Sequence, residues 1–136
     1  MIKFWLLVTD EKNWKIIKNR NFYAFKEKNV KQFNEVKLDD EVVIYVKRKK
    51  IGGIFNVKSK EESKRVLFGD ENYKYKFGLK KKIIGKDLIE LTDTFINKIS
   101  VFKNKSRWGT VLMGRAIIKI SRSDMDYIYK LIKLCK

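Results

Sequence analysis

The chain has 136 residues, with 33 Lys or Arg against 16 Asp or Glu, so its formal net charge is +17 at neutral pH. This length suits one domain with its own hydrophobic core, and we expect residues 1–136 to form it. The lack of His and the single Cys, Cys135, exclude an internal disulfide, a His or Cys zinc site and a His-based triad. The charge excess favours a polyanionic partner, nucleic acid above all, over a compositional bias.

The N-terminus and the overall hydropathy favour a cytoplasmic protein. No apolar run approaches the roughly 18–20 residues that cross a bilayer. The first residues lack the basic start and small-residue cleavage site of a signal peptide, and one free Cys fits a reducing compartment. We therefore expect no membrane partner, no cofactor and no metal, and we assume a monomer.

The N-terminal part of the chain predicts a strand, a helix, an extended segment and one or two helical turns, at 2–9, 10–19, 21–29 and 30–36. The first strand is rich in β-branched and aromatic residues. In the helix, Trp14 and Ile17 lie at helical spacing and Asp10 suits the N-cap position.

The rest of the chain predicts two strands, a third strand, a helix, a strand and a final helix, at 41–48, 51–59, 73–80, 88–99, 115–120 and 123–135. EVVIYV is apolar on both faces, as is typical of a central strand. In YKYKFGLK, apolar residues alternate with Lys, which predicts one buried and one cationic face. In the final helix, Ser123 suits the N-cap position, and one face carries Met125, Ile128, Ile132 and Cys135.

About five or six short strands with helices near both ends predict an α+β fold, a small and mostly antiparallel β-barrel that is mostly closed. Four consecutive cations follow the central strand. They form either a solvated hairpin tip that discourages edge pairing or part of a basic rim. With the cationic face of the third strand and two later arginines, the candidate phosphate-binding residues are Lys47, Arg48, Lys49, Lys50, Lys74, Lys76, Lys80, Arg115 and Arg122.

Several blocks of the sequence, in order and spacing, resemble the EVE domain: FWLLVT with a following NW, KLDDEVVIYV, IGGIFNVKS, RWGTVLMGRA and ISRSDMDYI. EVE domains belong to the PUA-like superfamily and are related to YTH readers of methylated RNA. The resemblance therefore implies a PUA-like barrel with a pocket at one end that receives an extruded base. Two positions depart from the family pattern. Asp39 replaces a Gly before Asp40, and Tyr23 replaces the Gly of an aromatic-Gly-Val segment, which predicts a reshaped or partly filled pocket.

The resemblance also implies which residues line the pocket: Thr9, Asn13, Trp14, Phe22, Tyr23, Ser59 and Trp108. An aromatic ring that stacks on a base contributes about 1–3 kcal/mol. A side-chain amide such as that of Asn13 pairs with a base edge. Each of these residues also has a structural explanation. Trp14 beside Ile17 suits a core residue, Asn13 suits a turn or cap, and Trp108 suits an anchor that closes the barrel.

The leading hypothesis is a non-catalytic nucleic-acid-binding module that recognises an extruded base, plain or modified, in RNA or DNA. One alternative is a generic RNA-binding PUA-like barrel without base selectivity, whose affinity falls steeply with salt. A third and weaker alternative is a small metal-dependent ribonuclease, for which Asp39, Asp40 and Glu41 form the densest acidic cluster. A turn into the strand explains this cluster better, because alternating side chains do not converge on one metal.

Overall fold

The computed structural model describes residues 2–62, 73–92 and 116–135. Its strands are β1 (Phe4–Thr9), β2 (Phe22–Lys26), β3 (Glu41–Val46), β4 (Lys50–Glu62), β5 (Tyr73–Glu90) and β6 (Ile117–Ile120). Its α-helices are α1 (Glu11–Arg20), α2 (Val30–Glu35) and α3 (Arg122–Leu134), with a turn of 3-10 helix at Glu27–Asn29. Among these residues, no helix is long and apolar enough to cross a bilayer.

The described strands form one sheet in the order β2-β5-β4-β3-β1-β6. The pairing of β1 with β3 is parallel, and the other four pairings are antiparallel. In a flat sheet, β2 and β1 would lie four strand spacings apart, or about 19 Å. The hydroxyl of Tyr23 on β2 nevertheless lies 2.5 Å from the carbonyl oxygen of Val8 on β1. The sheet is therefore curled into a half-barrel, which confirms the predicted α+β, mostly antiparallel and barrel-like fold.

Both faces of the sheet are covered. Inside the curl, Trp14 and Ile17 of α1 and Phe33 of α2 pack with one set of strand side chains. The opposite face packs against α3 through Met125 and Ile128, among others. Because strand side chains alternate between faces, a strand covered on both sides is apolar throughout. The five residues Val42–Val46 are all buried, as predicted for a central strand.

The helix predicted at 88–99 is wrong where the structure describes it. Residues 88–90 belong to β5, where Ile89 pairs with Ile51 and Glu90 with Lys50. Ile89 is buried in this pairing, so tertiary contacts override the local helical pattern. The predicted third strand accordingly continues well past residue 80, and the part of the predicted helix beyond residue 92 lies outside the described residues.

The final helix exists as predicted, but its ends differ. Ser121, not Ser123, is the N-cap, and its hydroxyl accepts a hydrogen bond from the backbone N–H of Asp124 at 3.1 Å. The helix ends at Leu134, so Cys135 is an exposed C-cap residue rather than part of the buried face. Leu131 takes its place in the core.

Candidate nucleic-acid interface

The turn between β3 and β4 presents three exposed cations, Lys47, Arg48 and Lys49. Three hydrogen bonds hold its backbone. The N–H of Lys47 donates to the carbonyl of Thr9 at 2.8 Å, and that of Leu91 donates to the carbonyl of Lys49 at 2.6 Å. The N–H of Lys49 donates to the hydroxyl oxygen of Tyr45 at 2.9 Å. Burial raises the pKa of Tyr45 above its ordinary value, so this phenol is neutral at physiological pH. The turn is therefore a fixed cationic projection beside the end of β1.

Lys50, which follows the turn, is half-buried and ion-paired. Its ammonium lies 2.5 Å from a carboxylate oxygen of Glu11, at the start of α1. The hydrogen bond and charge of Lys50, with a smaller contribution from Lys15, lower the pKa of Glu11. This ion pair links the first turn of α1 to the start of β4, and the carboxylate of Glu11 offsets part of the positive charge of Lys50.

The cationic face predicted for β5 exists, because Phe77 and Leu79 are buried while Lys74 and Lys80 are exposed. Carboxylates neutralise part of it. Lys74 lies 3.6 Å from Glu27, and Lys76 lies 2.8 Å from Glu61. Within the described residues, Lys80 has no such partner.

Trp14 is packed in the core, with only 6% of its surface exposed. Its ring lies flat on β4, where a Cβ added to Gly52 would come within 2.7 Å of two ring atoms. Its ring centroid also lies 6.2 Å from that of Phe55, in an edge-on arrangement. Packing against the half-barrel therefore accounts for this residue without a ligand.

Tyr23 fills the interior of the curl. It is 3% exposed, and its hydroxyl lies 2.5 Å from the carbonyl oxygen of Val8 and 3.3 Å from that of Ala116. Its tip thus lies next to Thr9 at the end of β1. A side chain of this size occupies space inside the curl.

Asn13 lies half-buried in the first turn of α1. Its backbone N–H donates to the side chain of Asp10 at 2.7 Å, which confirms Asp10 as the N-cap. The side-chain amide of Asn13 makes no hydrogen bond to any described residue. It is therefore available to a ligand that reaches the junction of β1 and α1.

Phe22 and Ser59 form a separate group on another part of the sheet. Gly78 pairs with both of them, so the three residues form one row across β2, β5 and β4. A Cβ on Gly78 would collide with the hydroxyl of Ser59 unless that hydroxyl rotated away. Ser59 lies seven residues after Gly52 on β4, or about 23 Å along the strand. The structure therefore does not bring Ser59 together with Trp14, whereas Phe22 packs against the cluster that contains Trp14.

Arg122 lies far from the basic turn. It is the first residue of α3 and lines a cavity of about 280 Å³ with Ile2, Phe4 and Glu41. Phe4 and Glu41 begin β1 and β3, whereas the basic turn follows the end of β3. Trp108 and Arg115 lie outside the described residues.

The acidic cluster has a structural role. The carboxylate of Asp40 is 2% exposed and accepts three hydrogen bonds of 3.0 Å, from the backbone N–H groups of Lys3 and Lys37 and from the indole of Trp5. Asp39 has a φ of 74°, the conformation that Gly would adopt with least strain. Among the described residues, no group of three or more acidic or Cys side chains is placed to hold a metal ion.

The exposed side of α1 carries four further cations that were not predicted as part of the site: Lys12, Lys15, Lys18 and Arg20. The signal was present in the sequence as lysines at every third position around a buried Trp14 and Ile17. It was missed because an exposed helix face is commonly charged for solubility alone.

Known proteins resemble this chain in sequence and in fold. The EVE domain family model matches residues 3–131. A UPF0310 protein of Pyrococcus horikoshii is 29% identical over 145 residues, which cover 95% of this chain and 98% of the relative. Two solved structures share the fold at low sequence identity. One is the YTH domain of Zygosaccharomyces rouxii MRB1 in complex with N6-methyladenosine RNA, with a TM-score of 0.73 at 11% identity over 99% of this chain and 89% of that one.

The other is the human THYN1 protein in complex with DNA that contains 5-methylcytosine, with a TM-score of 0.61 at 13% identity over 96% of this chain and 98% of that one. The resemblance seen in the sequence blocks is therefore confirmed along almost the whole chain. The chain belongs to the EVE domain family and has the fold that this family shares with YTH domains.

Proposed function

We propose that this EVE domain is a non-catalytic nucleic-acid-binding module that receives one unstacked base, plain or modified, where β1 meets α1. The observation that carries the proposal is the fixed basic turn, which is hydrogen-bonded to Thr9 beside the free amide of Asn13. The proposal is supported by the closeness of cations suited to phosphate and an amide with the chemistry to pair with a base edge. Solved structures of the same fold that contain N6-methyladenosine RNA or 5-methylcytosine DNA support nucleic acid as the ligand class.

In this proposal, the residues of the site have different roles. Lys47, Arg48 and Lys49 attract and hold phosphates without regard to sequence. The amide of Asn13 offers donors and an acceptor to the base edge, and the tip of Tyr23 limits how much space the base finds beside Thr9. Phe22 and Ser59 lie in a separate row of the sheet, and the proposal assigns them no contact with this base.

A second candidate function is non-selective binding of the phosphate backbone. It is favoured by the burial of Trp14 and Tyr23, since neither ring presents an open face on which a base stacks. In this case the half-barrel is a rigid support for the basic turn. The two functions share the cationic surface and differ only in whether a base enters.

We assign no catalytic step to the acidic residues. Asp40 is saturated by three N–H donors, and Glu41 is paired with Lys82 at 2.8 Å. Asp39 is exposed, and a turn conformation explains it.

Two variants test the proposal: one should lose overall affinity, and the other should lose only the preference for a base. Reversal of the turn charges in Lys47→Glu/Arg48→Glu/Lys49→Glu should weaken binding to every oligonucleotide, because the phosphate contacts are lost. Asn13→Ala should leave the affinity for plain oligonucleotides within about twofold while it removes any preference for a modified base. Fluorescence anisotropy with matched plain and methylated oligonucleotides measures both effects. If the triple variant binds as tightly as wild type, or if Asn13→Ala keeps the full preference, the proposed site is wrong.

A further inference from the structure

The exposed side of α1 carries four basic side chains: Lys12, Lys15, Lys18 and Arg20. We propose that this surface, here called the α1 track, holds the phosphate backbone of the bound strand as it leaves the basic turn. The inference rests on the proposed function, because it extends the same nucleic-acid interface to a second element. The chain has two cationic surfaces, the α1 track and the cationic face of β5, which composition alone does not distinguish. The proposal assigns the nucleic-acid backbone to the α1 track.

Ion pairing distinguishes the two surfaces. Within the described part of the chain, none of the four side chains of the α1 track forms an ion pair, although Lys15 interacts electrostatically with Glu11. On β5, by contrast, Lys74, Lys76 and Lys82 each lie within 3.6 Å of a glutamate. A paired glutamate keeps a negative charge beside the lysine, which offsets its attraction for a phosphate. Three of the six lysines of β5 are paired in this way, and none of the four cations of the α1 track is, so a larger share of the charge on the α1 track is uncompensated.

The α1 track is adjacent to the basic turn. Thr9, whose carbonyl accepts the N–H of Lys47, is two residues before the start of α1. The Lys50–Glu11 pair then binds the first turn of the helix to the start of β4. A strand that contacts the turn passes the Lys50–Glu11 pair and the N-cap carboxylate of Asp10 before it reaches the α1 track, so the two surfaces are adjacent in space but separated by these two acids.

The helix is long enough and rigid enough for this role. Its 10 residues span about 15 Å. A stacked strand has one phosphate per about 3.4 Å, so the helix runs beside about four phosphates. Ile17 is fully buried and Trp14 nearly so, which fixes the rotation of α1 and keeps the basic side outward.

The chain contains a matched control for the experiment. Lys15 and Lys18 on α1, and Lys130 and Lys133 on α3, are exposed lysine pairs at the same spacing. Lys18 and Lys133 both lie in the last turn of their helix. Lys15→Gln/Lys18→Gln and Lys130→Gln/Lys133→Gln therefore remove equal charge from opposite faces of the sheet, and Gln retains helix propensity.

The measurement is the affinity of wild type and both variants for plain and methylated single strands of RNA and DNA over a range of salt concentrations. The α1 variant should lose about tenfold in affinity at low salt, and its log–log salt slope should fall by about 1.4. The α3 variant should match wild type within about twofold. Equal losses in the two variants would overturn the α1 track.

The same data separate the α1 track from the proposed function. If wild type prefers a methylated strand while the two variants behave alike, only the α1 track fails. If wild type binds no nucleic acid, both fail. The RNA and DNA arms decide which backbone the track accepts.

Discussion

At the scale of single residues, Asp40 shows how one buried carboxylate sets the register between neighbouring strands. It joins the backbone of Lys3, before β1, and the indole of Trp5, within β1, to the turn that begins β3. β1 and β3 are a parallel pair: Thr9 ends β1, and the basic turn follows the end of β3. The acid that resembled a metal ligand in the sequence therefore supports the site from the other end of the strands.

Asp40→Asn should destabilise the fold by about 3 kcal/mol, because an amide keeps one acceptor oxygen and turns an NH₂ group towards an N–H donor. Urea denaturation measures the change. The control is Asp39→Asn, which keeps a residue that tolerates positive φ in an exposed turn and should change stability by less than about 0.5 kcal/mol. A loss below about 1 kcal/mol for Asp40→Asn would contradict the assigned hydrogen bonds.

The packing of Trp14 on Gly52 can be tested by substitutions at both positions. Gly52→Ala should destabilise the protein by about 1–3 kcal/mol, since the new methyl group overlaps the indole ring. In a Trp14→Phe background the same change should cost clearly less, because the smaller ring leaves room. A double-mutant cycle of unfolding free energies measures this coupling, and additive effects would disprove the contact. Trp14→Ala alone removes core packing and does not isolate a role in binding.

At the scale of elements, the sequence predicts segments stabilised by local interactions better than segments stabilised by distant pairing. α1 begins after Asp10 as predicted, because a cap and an apolar stripe are local features. The C-terminal part of β5 was predicted as helix, because its strand state depends on β4, some forty residues earlier in the chain. The choice of cap on α3 also failed, since Ser121 and Ser123 both precede the same apolar stripe.

The N-cap assignment gives a direct test at this scale. Ser121→Ala should cost about 1 kcal/mol, because it removes the acceptor for the N–H of Asp124. Ser123→Ala should be near neutral, since Ala is a good residue in the first turn. Thermal or urea unfolding of the two variants measures the difference. Equal losses, or a larger loss for Ser123→Ala, would contradict the assigned cap.

At the scale of the whole molecule, the charge and the family were predictable and the arrangement of the site was not. The excess of lysine and the ordered blocks pointed to a nucleic-acid partner and an EVE domain. Which lysines are neutralised depends on glutamates distant in sequence, such as Glu27 beside Lys74. The separation of Ser59 from Trp14 follows from the length and curl of β4, which no local motif reports.

We propose that a base, and not only the backbone, is recognised at the junction of β1 and α1. This proposal is tested most directly by the affinity of the purified protein for matched plain, N6-methyladenine and 5-methylcytosine oligonucleotides, RNA and DNA, at low and high salt. The account predicts a preference for one base that persists when salt has removed most of the non-selective affinity. Uniform affinity that disappears with salt would contradict it and leave the half-barrel as a basic platform.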